Sequence, residues 1–91
     1  MPKAAQITVR GKVQGVGFRH FVYNIAKNLS LTGFVRNNPD RSVTICCEGN
    51  DVQVKMFIES VKKGSVHSNV EKVSVQYYNS TGKYNEFNIT G

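Results

Sequence analysis

The chain has 91 residues, 40 % hydrophobic and 20 % charged, which suits one globular domain over residues 1–91 with one core and excludes a disordered or collagenous chain. A two-domain enzyme with its site in an interdomain cleft is excluded by length alone. The formal charge of +6 favours anionic partners without choosing among small phosphates, nucleic acid and phospholipid.

The start, MPKAAQITVR, passes directly into strand-like alternation with no apolar stretch of the kind a signal peptide needs. No apolar run reaches the length of a membrane span, so a cytoplasmic protein with no membrane partner is expected. In residues 5–9 Ile7 and Val9 share one face of a half-buried strand. Phe18, Phe21, Val22, Ile25, Ala26 and Leu29 then follow the spacing of an amphipathic helix whose apolar face belongs to the core. Phe34 and Val35 sit in a short strand, and Asn38-Pro39-Asp40-Arg41 is a turn signal leading into a strand with Val43, Ile45 and Cys47 on one side. Cys46 and Cys47, adjacent in that strand, point to opposite faces and fit reduced thiols.

Val54, Phe57, Ile58 and Val61 mark a second helix, with Asn50 as N-cap, Lys62 and Lys63 in the last turn and Gly64 just beyond. Val73, Val75 and Tyr77 give a further strand, and Phe87 with Ile89 a last short one. The order predicts an α+β fold, a ferredoxin-like βαββαβ sandwich. Its sheet is antiparallel or mixed, with two helices on one face and a short extra C-terminal strand. A right-handed crossover makes the first two strands parallel, so residues 10–19 and 36–41 should meet at one edge of the sheet.

The segment Gly11-Lys12-Val13-Gln14-Gly15-Val16-Gly17-Phe18-Arg19 joins the first strand to the first helix, with three glycines in seven positions. Glycine torsions can turn successive N–H groups inward, and a helix N-terminus adds unpaired donors, so the loop suits an anion. It is neither a Walker A loop nor a dinucleotide fingerprint. Arg19, a cation in the first helical turn, opposes the helix dipole. Spacing alone leaves it open between a phosphate ligand and a solvated arginine.

Residues 9–19, VRGKVQGVGFR, closely resemble the first signature of the acylphosphatase family, and residues 33–37, GFVRN, its second. The resemblance continues through Val43 to Gly49, Ser68 to Val73, and Phe87 with Ile89. One departure lies in the hairpin, where Arg41 follows Asp40 at a place the family often fills with Asp-Gly. The resemblance implies hydrolysis of acyl phosphates to carboxylate and inorganic phosphate. It implies that Arg19 and the main chain of Gln14, Gly15, Val16, Gly17 and Phe18 bind phosphate, and that Asn37 orients the attacking water. The expected leaving carboxylate, with a conjugate-acid pKa of roughly 4, needs no protonation, so no metal or cofactor is expected. A monomer is expected, with inorganic phosphate as product and competitor.

His20 and His67 lack a convincing Asp or Ser partner and read as surface residues, Asp40 as hairpin chemistry, and Arg36 as a solvated strand residue. The runner-up is an RNA-binding module, because this order of elements is shared with RRM domains and residues 17–23 faintly resemble their aromatic motif. That motif falls at a helix start instead of the third strand, so no specific nucleic-acid partner is expected.

Overall fold

The computed structural model describes residues 2–91. The elements run β1 Pro2–Lys12, α1 Phe18–Asn28, β2 Thr32–Asn37, β3 Val43–Asn50, α2 Asp51–Lys63, β4 Asn69–Tyr78 and β5 Phe87–Thr90. The strands form one sheet in the order β4-β1-β3-β2-β5, the ferredoxin-like order with β5 added beside β2. Both β1 and β2 pair antiparallel with β3. They are therefore parallel to each other, and β5 lies parallel to β2. The C-terminal ends of β1 and β2 reach the same edge, as the crossover rule requires.

Alternation along the strands gives the sheet one apolar face. Ile7 is paired with Val75 and Ile45, Ile45 with Val35, and Val35 with Ile89, so one apolar row crosses all five strands. The next row toward the edge runs Val73, Val9, Val43 and then Asn37. Asn37 thus occupies a core-facing position at the rim, where the period of two sends a polar side chain to the helix-bearing side.

The first helix buries Phe18, Val22 and Ala26. Phe21, Ile25 and Leu29 only flank the core, so the buried stripe is narrower than the apolar spacing predicts. The second buries Val54, Phe57, Ile58 and Val61. Asn50 caps it, Oδ1 accepting from the Val52 amide at 3.0 Å, an arrangement that contributes about 1 kcal/mol. Cys47 lies in the core and Cys46 on the opposite face, both as free thiols. Burial pushes the Cys47 thiol up to about 12.

Because β4 and β5 occupy opposite edges, residues 79–86 must cross the sheet. Glu48, 3 % exposed, anchors that crossing. Its carboxylate accepts from Ser80 Oγ at 3.0 Å, the Thr81 amide at 3.0 Å, Thr81 Oγ1 at 2.8 Å and the Gly82 amide at 3.0 Å. Tyr84 then packs on Phe34, ring centroids 6.0 Å apart. Among the described residues no helix is long and apolar enough to cross a membrane.

Candidate active site

The loop between β1 and α1 keeps its backbone in an unusual shape. Gly15 and Gly17 have φ of 73° and 78°, and a Cβ on either would meet nothing within 4 Å. Torsion, not crowding, is therefore what demands glycine, since an L-residue in that region costs about 1–2 kcal/mol. Left-handed glycines alternating with other residues turn neighbouring N–H groups toward a common point. Among the described residues, no protein group accepts from the amides of residues 14–17. Gly17 caps α1 without a side-chain bond, and the first turn carries no acidic residue. The N-terminal end of α1 is thus an open cluster of donors with the positive end of a helix dipole behind it.

Arg19 stands in that first turn, with Nη1 donating to the carbonyls of Gly91 at 3.1 Å and Thr90 at 3.4 Å. The C-terminal segment, carried alongside β2 by β5, holds one flank of the guanidinium and leaves its other donors for a ligand. From β2 comes Asn37, whose Oδ1 is buried without a hydrogen-bond partner. Such an atom is costly unless a ligand or water completes it.

These groups converge. A cleft of about 90 Å³ is lined by Gly15, Gly17, Phe18, Arg19 and Asn37, together with Val13 and His20. Phe18, which lines the cleft, is buried in the core cluster. Val16 is half-buried against the core and does not line the cleft.

Gln14 also lies outside this lining. Its Nε2 donates to the carbonyls of Asn38 and Ser42, each at 2.9 Å, and so ties the loop to the hairpin. The hairpin is firmly closed: Asn38 N donates to Ser42 O at 2.8 Å, and Asn38 Nδ2 reaches Ser42 Oγ at 2.9 Å and Thr44 Oγ1 at 2.8 Å. Asp40 Oδ1 accepts from the Ser42 hydroxyl at 2.5 Å and amide at 3.0 Å, while Arg10 pairs with Oδ2 at 3.1 Å. The Ser42 hydroxyl first, then its amide and Arg10, hold the Asp40 carboxyl at about 2. Asp40 is hairpin chemistry, as expected.

Sequence reasoning missed three contributors. The Gln14 strut and the Thr90 and Gly91 carbonyls act on partners 24 to 72 residues away and leave no local signal. His20, set aside as a surface residue, is exposed and also borders the cleft, for which its place beside Arg19 was the only hint. Arg36 lies exposed over the Phe34 ring, 5.6 Å from its centroid. The segment that faintly resembles an RNA-binding motif opens α1 and buries the Phe18 ring, which removes it from any stacking surface. Among the described residues no group of three or more His, Cys, Asp or Glu could hold a metal ion.

Residues 5–89 match the Acylphosphatase family model. An acylphosphatase of Bacillus licheniformis is 42 % identical over 85 residues, which span 93 % of this chain and 94 % of that one. One of Thermotoga maritima is 42 % identical over 87 residues, 96 % of each. The crystal structure of acylphosphatase from Bacillus subtilis superposes with a TM-score of 0.94 at 39 % identity, covering 98 % of this chain and 99 % of that one. With the match running over nearly the whole length, the chain belongs to the acylphosphatase family, hydrolases acting on acyl phosphates.

Proposed function

We propose that this acylphosphatase performs its hydrolysis with Arg19 and the main-chain amides of residues 14–18 binding the phosphoryl group and Asn37 orienting the water. The carrying observation is the unpartnered, buried Asn37 Oδ1 in the same small cleft as Arg19 and the open glycine loop. A planar guanidinium presents two parallel donors to two phosphoryl oxygens and stays charged. The loop amides and the N-terminus of α1 take the remaining oxygens. Asn37 Oδ1 accepts a hydrogen from water and aligns it opposite the acyl oxygen, which turns a solvent collision into a positioned attack.

As the water oxygen bonds to phosphorus, the bond from phosphorus to the acyl oxygen breaks, and its electron pair leaves on the carboxylate. That carboxylate is a weak base, so no acid is needed for its departure. The proton lost by water passes to a phosphoryl oxygen or to solvent. Negative charge spread over the phosphoryl oxygens meets donors already in place, which is the main source of acceleration in such reactions. All these groups lie on one chain, so the monomer is the working unit, and inorganic phosphate competes for the same donors. Free Cys46 and Cys47 accord with a cytoplasmic enzyme.

Titration of inorganic phosphate into folded Asn37→Ala and Arg19→Ala proteins, beside acyl phosphate hydrolysis, tests the division of labour. Asn37→Ala should lose about 10²–10³-fold in turnover and still bind phosphate. Arg19→Ala should lose turnover and weaken phosphate binding by about 1.5–3 kcal/mol, the worth of a charge-assisted contact. Near-normal turnover in Asn37→Ala, or parental phosphate affinity in Arg19→Ala, overturns the assignment.

A further inference from the structure

A second, larger cleft of about 430 Å³ adjoins the first across the glycine loop, sharing Val13 and Gly15 and bounded by Lys12, Gln14 and Arg41. No carboxylate lines it. Asp40, on the same hairpin, is already engaged by Arg10 and Ser42. Lys12 and Arg41 have no ion-pair partner among the described residues, so the cleft carries two uncompensated cations beside the phosphate loop.

Arg41 is also held in a costly backbone conformation. Its φ is 74°, in the region where a side chain is strained. The turn is closed by Arg41 N donating to Asn38 O at 3.0 Å, a geometry that glycine would satisfy without strain. Retained strain in a non-glycine residue beside a site is a pointer to a role for its side chain. Gln14 supplies the mechanical link, since its two bonds to Asn38 and Ser42 fix the hairpin that carries Arg41 against the loop that binds phosphate.

We propose that Arg41, with Lys12, is a specificity determinant that favours acyl phosphates bearing a second anionic group on the acyl portion, which the adjoining cleft receives. This rests on the phosphoryl end being held by Arg19 and the 14–18 loop as proposed above. The small cleft takes the phosphoryl group, the acyl chain emerges over Gly15, and a carboxylate or phosphate at its far end meets the two cations. Both cations are exposed, so the preference is moderate and weakens with salt.

The test compares kcat/KM for benzoyl phosphate and 4-carboxybenzoyl phosphate in the parent, Arg41→Gly and Lys12→Gln. The parent should favour the carboxylated substrate about fivefold at low salt, with the difference in KM and shrinking as salt rises. In Arg41→Gly, where Lys12 remains, the ratio should fall to about two, while its thermal unfolding shows that the relaxed turn folds at least as well as the parent. Lys12→Gln should lower the ratio by about half. Hydrolysis of both substrates by the parent with no preference, or an unchanged ratio in Arg41→Gly, overturns the inference and leaves the phosphoryl-site reading intact. Hydrolysis of neither substrate overturns both.

Discussion

In the crossover of residues 79–86 the amides of Thr81 and Gly82 point at the buried carboxylate of Glu48, which also takes the hydroxyls of Ser80 and Thr81. In the loop of residues 14–17 the amides point at no group of the protein among the described residues, and the cation Arg19 lines the cleft beside them. Both loops gather backbone donors around a point of positive potential, and such a point draws in negative charge. Where the chain needs closure it supplies the anion itself, at a fixed place on β3. In the 14–17 loop the donors stay open, which on the proposed mechanism lets the anion arrive and leave as substrate and product. The difference between the two donor clusters is that an internal carboxylate fills one and not the other.

Supplying the missing anion probes the open loop directly. Inorganic phosphate at about one hundred times its dissociation constant should stabilise the parent by about 2.7 kcal/mol, as ligand linkage requires. Thermal unfolding of Arg19→Ala at the same phosphate concentration should show a clearly smaller shift. An equal shift in both proteins would put the anion somewhere other than the open loop.

The closed loop should respond in the opposite way. Glu48→Gln leaves donors facing an amide that accepts at one atom only, and should cost about 2 kcal/mol of stability. Turnover measured well below the unfolding midpoint should keep the parent's kcat/KM, because Glu48 lies outside the cleft. A variant with normal stability and impaired turnover would erase the distinction between the two loops.

Acid provides a third probe. Burial works to raise the Glu48 pKa, but the bonds from Thr81, Gly82 and Ser80 outweigh it and hold the carboxyl below its ordinary value. Asp40 is held lower still, at about 2. Both groups bind protons more readily in the unfolded chain, so their stabilisation is complete above the ordinary carboxylate range near pH 4 and is lost as pH falls toward 2. Urea midpoints should therefore decline between about pH 4 and pH 2, and the Glu48→Gln protein should show a shallower decline.

The smallest expected effect is none. Prolonged chelation followed by assay should leave hydrolysis unchanged, because the leaving carboxylate needs no Lewis acid and the proposed mechanism meets the phosphoryl charge with Arg19 and main-chain donors. Loss of turnover restored by a divalent cation would break the account of the open loop.

Periodicity in the sequence was enough to set out strand, helix, two strands, helix and strand, with Asn50 and Gly64 as the ends of α2, because burial and capping act within a few residues. The signatures around Arg19 and Asn37 point to the chemistry, and the handedness of the crossover alone places them at one edge. Relations between distant segments, by contrast, are set by tertiary packing. The Gln14 strut, the grip of Thr90 and Gly91 on Arg19, the Glu48 anchor and the second cleft beside Arg41 each join residues that local pattern treats as independent. The strained φ of Arg41 belongs with them, since a turn signal fixes where the chain reverses but not which torsion each residue must hold. Hydrophobic spacing reports which side of an element is buried, a one-dimensional property. Which donors are left without an acceptor depends on everything that folds against them, and that is where the candidate site is made.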